Sequence, residues 1–326
     1  DPEGWLATFV EDESPLVRHA VATNSQSARL LLRLARDPDE AVQLTVLDKT
    51  QDLPTLQALT ESKFEDVHQR LVQAIHTPEL YTALYPHLRL ETRRGIVRER
   101  HLFEHQDGVA LLRPEWQHAL QQDGDPALLG PLLPAFSDAQ VLAHLIASWR
   151  QQGKLDPDVS RKAATTSKLV SQQRVWADID DDTIRDALLA NTALAPEVML
   201  SCLTADTERQ KSLLLQSLAR RSRQKLMHDP CYAQVELRLI SGSSHELRRL
   251  AARHCITAPA ILALSADRDD EMQMALAKAM ASEPEQSQER APLLNDPHYL
   301  EAKARIGANP QPQIRQIIDE SWALPF

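Results

Sequence analysis

VRHAVATN at residues 17–24 opens a phrase that closes on Asp37, 13 positions after Asn24. Its skeleton of an apolar residue, Arg, a polar residue and then three apolar ones returns as IRDALLAN at 184–191 and LRRLAARH at 247–254. A period of roughly 20 to 50 residues marks an architecture in which each unit buries its apolar face against its neighbour. The period here can be read off directly. Val17, Val42, Val67 and Thr92 stand 25 apart. Val21, Val46, Leu71 and Ile96 form a second column in the same register, Leu31, Leu56 and Tyr81 a third, and Leu34, Leu59 and Leu84 a fourth.

The register returns towards the end, where Leu247 and Met272 are 25 apart and Asp267 stands 13 after His254. AKARIGAN at 302–309 is a partial copy, and IRDALLANTALAPEVMLSCLTAD at 184–206 is another unit with two extra residues in its second half. Between 105 and 180 the phrase decays. DPALLGPLLPAF at 125–136 and DPDVSRKAATTSKLV at 156–170 keep helical spacing in poor register, as degenerate or longer units would.

Each unit is punctuated as two short helices. Asp37, Pro38 and Glu40 read as an N-cap, a first-turn proline and a capping-box acid. Thr77-Pro78-Glu79 and Ala195-Pro196-Glu197 mark starts of the same kind, and Asp125, Asp156, Asp229 and Asp296 also precede prolines. Leu31 and Leu34 fall on one face of the second helix, which is expected to point into the stack.

Composition agrees with helix: Leu and Ala dominate, and the chain of 326 residues has only 8 Gly, 5 Phe, 5 Trp and 4 Tyr. Apolar runs such as RLLLRLA at 29–35 and SLLLQSLA at 212–219 fall far short of the roughly 20 residues that span a bilayer, so no membrane contact is expected. Cys202, Cys231 and Cys255 lie far apart without a CxxC pair, which fits buried thiols in a reducing compartment and a cytoplasmic location.

The full phrase, V/I/L-R-x-A/L-V/L-A-x-N followed by P-x-x-L-x-x-L-x-x-D, resembles the leucine-rich-repeat variant, a relative of HEAT and armadillo repeats. It is carried by Val17 to Asp37, Ile184 to Asp206 and Leu247 to Asp267, with weaker copies adjoining each. Ala28 stands where the pattern has proline, and the second and third units, which begin at Val42 and Val67, lose both the arginine and the asparagine. The resemblance implies an all-α fold: a right-handed α-solenoid of HEAT-like helix pairs with a concave and a convex face, serving as an interaction surface. The expected organisation is one continuous superhelix of about ten to twelve helix pairs. It would have regular repeats over 1–104, irregular central repeats over 105–180 and C-terminal repeats over 181–326.

Arginine is clustered in two places, Arg89, Arg93, Arg94, Arg98 and Arg100 in one and Arg220, Arg221, Arg223 with Lys225 in the other. On stacked units such side chains can align into a strip that takes phosphate or acidic peptide through bidentate contacts. Arg93, Arg94, Arg98, Arg220, Arg221, Arg223, Arg248 and Arg249 are therefore the candidate binding residues. The competing expectation is that Glu91, Glu99 and the acidic turns at 37–40, 178–182 and 267–271 neutralise them between units. The recurrent Arg18, Arg185 and Arg248 follow the repeat itself, and their expected role is to pair with acids or carbonyls of the adjoining turn.

Two enzymatic readings compete with a binding surface. HLFEH places His101, Glu104 and His105 in the H-x-x-E-H pattern of inverted zinc peptidases, which on a helix would set both imidazoles on one side for a metal. Some helical-repeat proteins are alkylpurine DNA glycosylases, and Arg174, Trp176 and Asp178, with Trp149 and Arg150, supply the residue types that hold a flipped base. A formal charge of −10 disfavours tight nucleic-acid binding. No G-x-x-x-x-G-K-[ST], G-x-G-x-x-G or G-x-S-x-G occurs, and the run at 178–182 lacks the glycine and terminal glutamate of a calcium loop. The expected function is non-enzymatic recognition of a protein or extended peptide, without cofactor or metal, with a DNA-binding or glycosylase role as the alternative.

Overall fold

The computed structural model describes residues 2–203, 207–220, 226, 229–281 and 295–322. Its described residues form 22 α-helices and a two-stranded sheet. None of these helices is long and apolar enough to cross a membrane. The chain divides into two compact units, Asp1–Asp156 and Pro157–Phe326.

The first unit opens with α1 (Pro2–Leu6), α2 (Pro15–Asn24), α3 (Ala28–Leu34), α4 (Glu40–Lys49) and α5 (Leu53–Thr60). It continues with α6 (Glu65–Ala74), α7 (Pro78–Leu84) and α8 (Leu90–Ile96). A hairpin of β1 (Phe103–Gln106) and β2 (Val109–Leu112) follows, and then α9 (Pro114–Asp123), α10 (Pro126–Leu129) and α11 (Ala139–Gln151). Alternate helices lie side by side: α2 against α4, α4 against α6 and α6 against α8, and likewise α3, α5, α7 and α9 in succession.

The sequence columns lie between these two rows. Val21, Val46, Leu71 and Ile96 are at most 2% exposed, and Leu56, Tyr81, Leu34, Leu59 and Leu84 are buried equally well. Burying such a side chain contributes about 1.5–3 kcal/mol, so the repeat interval is fixed by shared burial rather than by helix propensity. The close approach has a local requirement at Gly95, where a Cβ would stand 2.7 Å from Val72 Cγ2.

The second unit runs α12 (Pro157–Thr166), α13 (Val170–Ala177), α14 (Asp182–Ala190), α15 (Pro196–Cys202), α16 (Glu208–Leu218) and α17 (Pro230–Ile240). It ends with α18 (His245–His254), α19 (Ala258–Ser265), α20 (Asp270–Ala281), α21 (Pro297–Gly307) and α22 (Pro312–Trp322). The same alternation holds. Helices α12, α14, α16, α18, α20 and α22 pack in one succession, and α13, α15, α17, α19 and α21 in the other.

Helix starts follow the proline signals with one correction. Thr77, Asp125, Asp229 and Asp296 are N-caps whose side chains accept from backbone N–H groups of the first turn, and α15 begins at Pro196. Asp37 is not a cap. Helix α4 is capped by Asp39, which accepts from Val42 N, while Asp37 lies in the turn before it and accepts from Asp39 N. The physical reason is the partner of Asp37, since its carboxylate is occupied by Arg18.

That pairing belongs to a wider device. Arg18, Gln43, His68, Gln117, Gln173 and Arg248 each lie four residues past an N-cap, and each reaches back to a carbonyl of the preceding turn. Gln43 donates to Asp37 O at 2.7 Å, His68 lies 2.9 Å from Ser62 O, and Gln173 donates to Ser167 O at 3.0 Å. Gln273, equivalent to Gln43, donates to Asp267 O at 2.8 Å. A buried carbonyl left without a donor is costly, so a polar residue at this point of an otherwise apolar interface supplies a donor where the turn lacks one.

Glu236 on α17 does the complementary task for donors. Its carboxylate accepts from the backbone N–H groups of Ile256 and Thr257, each at 2.9 Å, and from the Thr257 hydroxyl, at the N-terminus of α19. Burial pushes this carboxyl up to about 7, against the downward pull of those hydrogen bonds.

The hairpin interrupts the succession of helices in the stretch where the sequence register decays. Asp107 and Gly108 both have positive φ, 50° and 75°, as a two-residue hairpin turn requires. Phe103 pairs with Leu112 and Gln106 with Val109.

Candidate functional site

The strongest candidate for a site lies in the second unit, on the exposed side of α18 and α20. An open cleft of about 550 Å³ lies there, with Arg249, Arg253 and Lys278 at its rim and Met274, Ala275 and Ala279 along its floor. The helices place these residues by register. Leu247 and Met272 are buried in the core, so residues one or two turns further along the opposite face point outward. Arg253 and Lys278 are 25 apart in the sequence and both are exposed.

The acids around the cleft are engaged. Asp270 accepts from Gln311 Nε2 at 2.7 Å and lies 3.5 Å from Asn309 Nδ2, while Glu271 pairs with Arg249. Asp269 meets His245 at 3.1 Å, and the Asp269 carboxyl is held below its ordinary range, first by the backbone N–H of Met272. Arg253 and Lys278 form no hydrogen bond or ion pair with a described residue. The lining thus carries three cations, Arg249, Arg253 and Lys278, against two acids, Asp270 and Glu271, in a chain whose formal charge is −10.

The arginines expected from the sequence divide sharply. Arg93 on α8 is internal: it pairs with Asp123 at 2.7 Å and Asp125 at 3.2 Å, and Asp123, whose side chain is fully buried, also accepts from the Tyr81 hydroxyl at 2.5 Å. Burial and the Asp123 charge push that hydroxyl far above its ordinary range. Arg94 pairs with Glu91 on its own helix at 2.6 Å. Arg98 is exposed beyond α8, and Arg220 is exposed just beyond α16. Arg221 and Arg223 lie outside the described residues.

Arg248 donates through Nε to Asp267 at 3.0 Å and through Nη1 to Ser243 O at 2.7 Å. Arg18 does the same with Asp37 and the carbonyl of Asp12. Arg185 meets Asp180 at 3.5 Å and also pairs with Asp182. The recurrent arginines thus bind the turns of their own modules. Of the eight candidates, Arg249 lines the cleft, while Arg253 and Lys278 were not singled out by the sequence reading. Their signal was present in the 25-residue register that joins Leu247 to Met272.

The residues suggested for metal or base chemistry are arranged otherwise. His101 lies in a single 3₁₀ turn and Glu104 and His105 lie on β1, where neighbouring side chains project to opposite faces. No group of three His, Cys, Asp or Glu among the described residues is placed to hold a metal ion. Trp176 and Trp149 are core residues, 0% and 2% exposed, with Trp149 Nε1 donating to Gly124 O at 2.8 Å. Arg174 pairs with Glu197 at 2.7 Å.

A second concavity, of about 520 Å³, lies beside α1 and α2 and is apolar, with Trp5 and Phe9 in edge contact at 4.8 Å. Its walls offer Val17, Ala20 and Val21 but no charge. A comparison with protein-family profiles and another with curated proteins each found no match to this chain.

Proposed function

We propose that the protein is a non-enzymatic recognition scaffold built from HEAT-like helix pairs of the leucine-rich-repeat-variant kind, arranged as an α-solenoid, and that it binds a protein or extended peptide. The observation that carries this reading is the cleft on α18 and α20. There, two modules in register present Arg253 and Lys278, cations unpaired among the described residues, beside apolar side chains, while the lining acids Asp270 and Glu271 are hydrogen-bonded to Gln311 and paired with Arg249. Charged groups at a rim orient a partner, and apolar contacts beneath supply affinity. The alternating packing of short helices supports the repeat assignment, because each module finds its apolar complement only in its neighbours.

The reading predicts that peptide-display selection on the immobilised protein enriches defined sequences. Their binding is expected to fall when Arg249, Arg253 and Lys278 are reversed to Glu. A selection that enriches nothing, or binders indifferent to those reversals, overturns it.

A further inference from the structure

We infer that the cleft on α18 and α20 takes an extended acidic peptide in the polyproline II conformation, with carboxylates on every third residue. The inference rests on the recognition reading above and names its ligand. Arg253 and Lys278 occupy the same position in successive modules, so the distance between them is set by the distance between adjacent helices. Packed helices stand about 8–10 Å apart. A polyproline II chain has three residues per turn and rises about 3.1 Å per residue, so it brings every third side chain to the same side at about 9 Å. A β-strand instead repeats its face every two residues, at about 6.6 Å, and falls short of the step.

The charge pattern selects the sign. Glu271 is matched by Arg249, and Asp270 keeps its charge beside the Gln311 amide, so Arg253 and Lys278, which have no partner among the described residues, leave the lining with a net positive charge. An acidic chain crossing α18 and α20 would meet two cations in register and lay its spacer residues on Met274, Ala275 and Ala279. A polyproline II segment also loses little conformational freedom on docking, because it is extended before it binds.

The test uses three fluorescein-labelled nine-residue peptides and fluorescence anisotropy on the full chain. The first carries three tandem Glu-Pro-Pro triplets, the second has Gln in place of each Glu, and the third has the three Glu contiguous and then six Pro. The first is expected to bind about tenfold or more tighter than either of the others, a difference of about 1.4 kcal/mol. Arg253→Glu with Lys278→Glu is expected to remove that advantage, as is the milder Arg253→Gln with Lys278→Gln; circular dichroism verifies that each variant keeps its helix.

Equal binding of the first and third peptides overturns the spacing, and undiminished binding to the double variants overturns the location. Display selections that yield neutral peptides dependent on the same cleft overturn the acidic ligand while leaving the recognition reading in place. Duplex DNA binding that depends on Arg253 and Lys278 and excludes the first peptide also overturns the inference.

Discussion

Arg18 and Asp37, 19 residues apart, close on each other through two hydrogen bonds, Nε to Oδ2 at 2.7 Å and Nη2 to Oδ1 at 2.9 Å. Arg248 and Asp267 repeat the separation and the Nε contact at 3.0 Å. Asp37 is nearly buried, with its side chain 3% exposed. Asp37→Ala leaves the guanidinium without its acid and the Asp39 N–H without its acceptor, so the thermal midpoint should drop by several degrees. The Arg18→Ala, Asp37→Ala double variant should lose less than the two single losses added together, as measured by thermal melting in a double-mutant cycle. Strict additivity would mean that the pair contributes nothing as a pair.

Gln173 makes three hydrogen bonds from a fully buried position: it donates to Ser167 O at 3.0 Å and Ala193 O at 2.9 Å and accepts from Ala195 N at 2.8 Å. Gln173→Leu keeps the volume and strips these bonds, at about 1–3 kcal/mol for each group left unsatisfied. Chemical denaturation should show a lower midpoint with an unchanged slope. A midpoint equal to that of the parent would show that the turn finds other donors.

Glu236 gives the second unit a pH dependence of defined sign. Its carboxyl is raised to about 7 in the fold, above the 4.5 of an ordinary glutamate, so the folded state holds the proton more tightly than the unfolded chain. The associated stability is fully present below about 4.5 and is lost as pH rises through about 7, amounting to up to about 3 kcal/mol. Glu236→Gln should flatten that part of the stability profile, followed by urea unfolding at intervals between pH 4.5 and 8. A parent profile without this decline would place the carboxyl near its ordinary range.

Removal of residues 38–62 takes out 25 positions, joins Asp37 to Lys63 and lets α6 follow α3 in the place of α4. Val21 then faces Leu71 across the same interface. The shortened protein is expected to keep its helical circular dichroism and melt at a lower temperature, because contacts run between neighbours. Loss of all helix on this deletion would indicate a core shared by the whole unit.

The columns of Val, Leu and Ile carried the helices and their apolar faces into view because burial between neighbours imposes a period that survives in every regular module. The turn preceding α4 departs from its sequence pattern for a physical reason. Asp37-Pro38 has the form of a helix start, but two hydrogen bonds from Arg18 hold that carboxylate in the turn and pass the capping task to Asp39. The hairpin departs from the helical units expected over this region because Asp107 and Gly108, both at positive φ, turn the chain back on itself.

The site was less legible. A string of arginines marks charge without saying which charge is already neutralised. Arg93 faces a buried acid from 30 residues downstream, and no spacing rule on one helix discloses that. Arg253 and Lys278 matter for the opposite reason: they are isolated in the sequence and meet only when two modules stand side by side.

The reach of Gln43 to Asp37 O, and of Gln273 to Asp267 O, spans six residues in each case, so every such module carries the clasp that shapes its own entry turn. A gene segment of 25 codons copied in frame would bring its clasp and its apolar faces together. Lengthening the array by duplication thus requires no simultaneous change elsewhere, and each new copy leaves its outward positions at liberty to diverge.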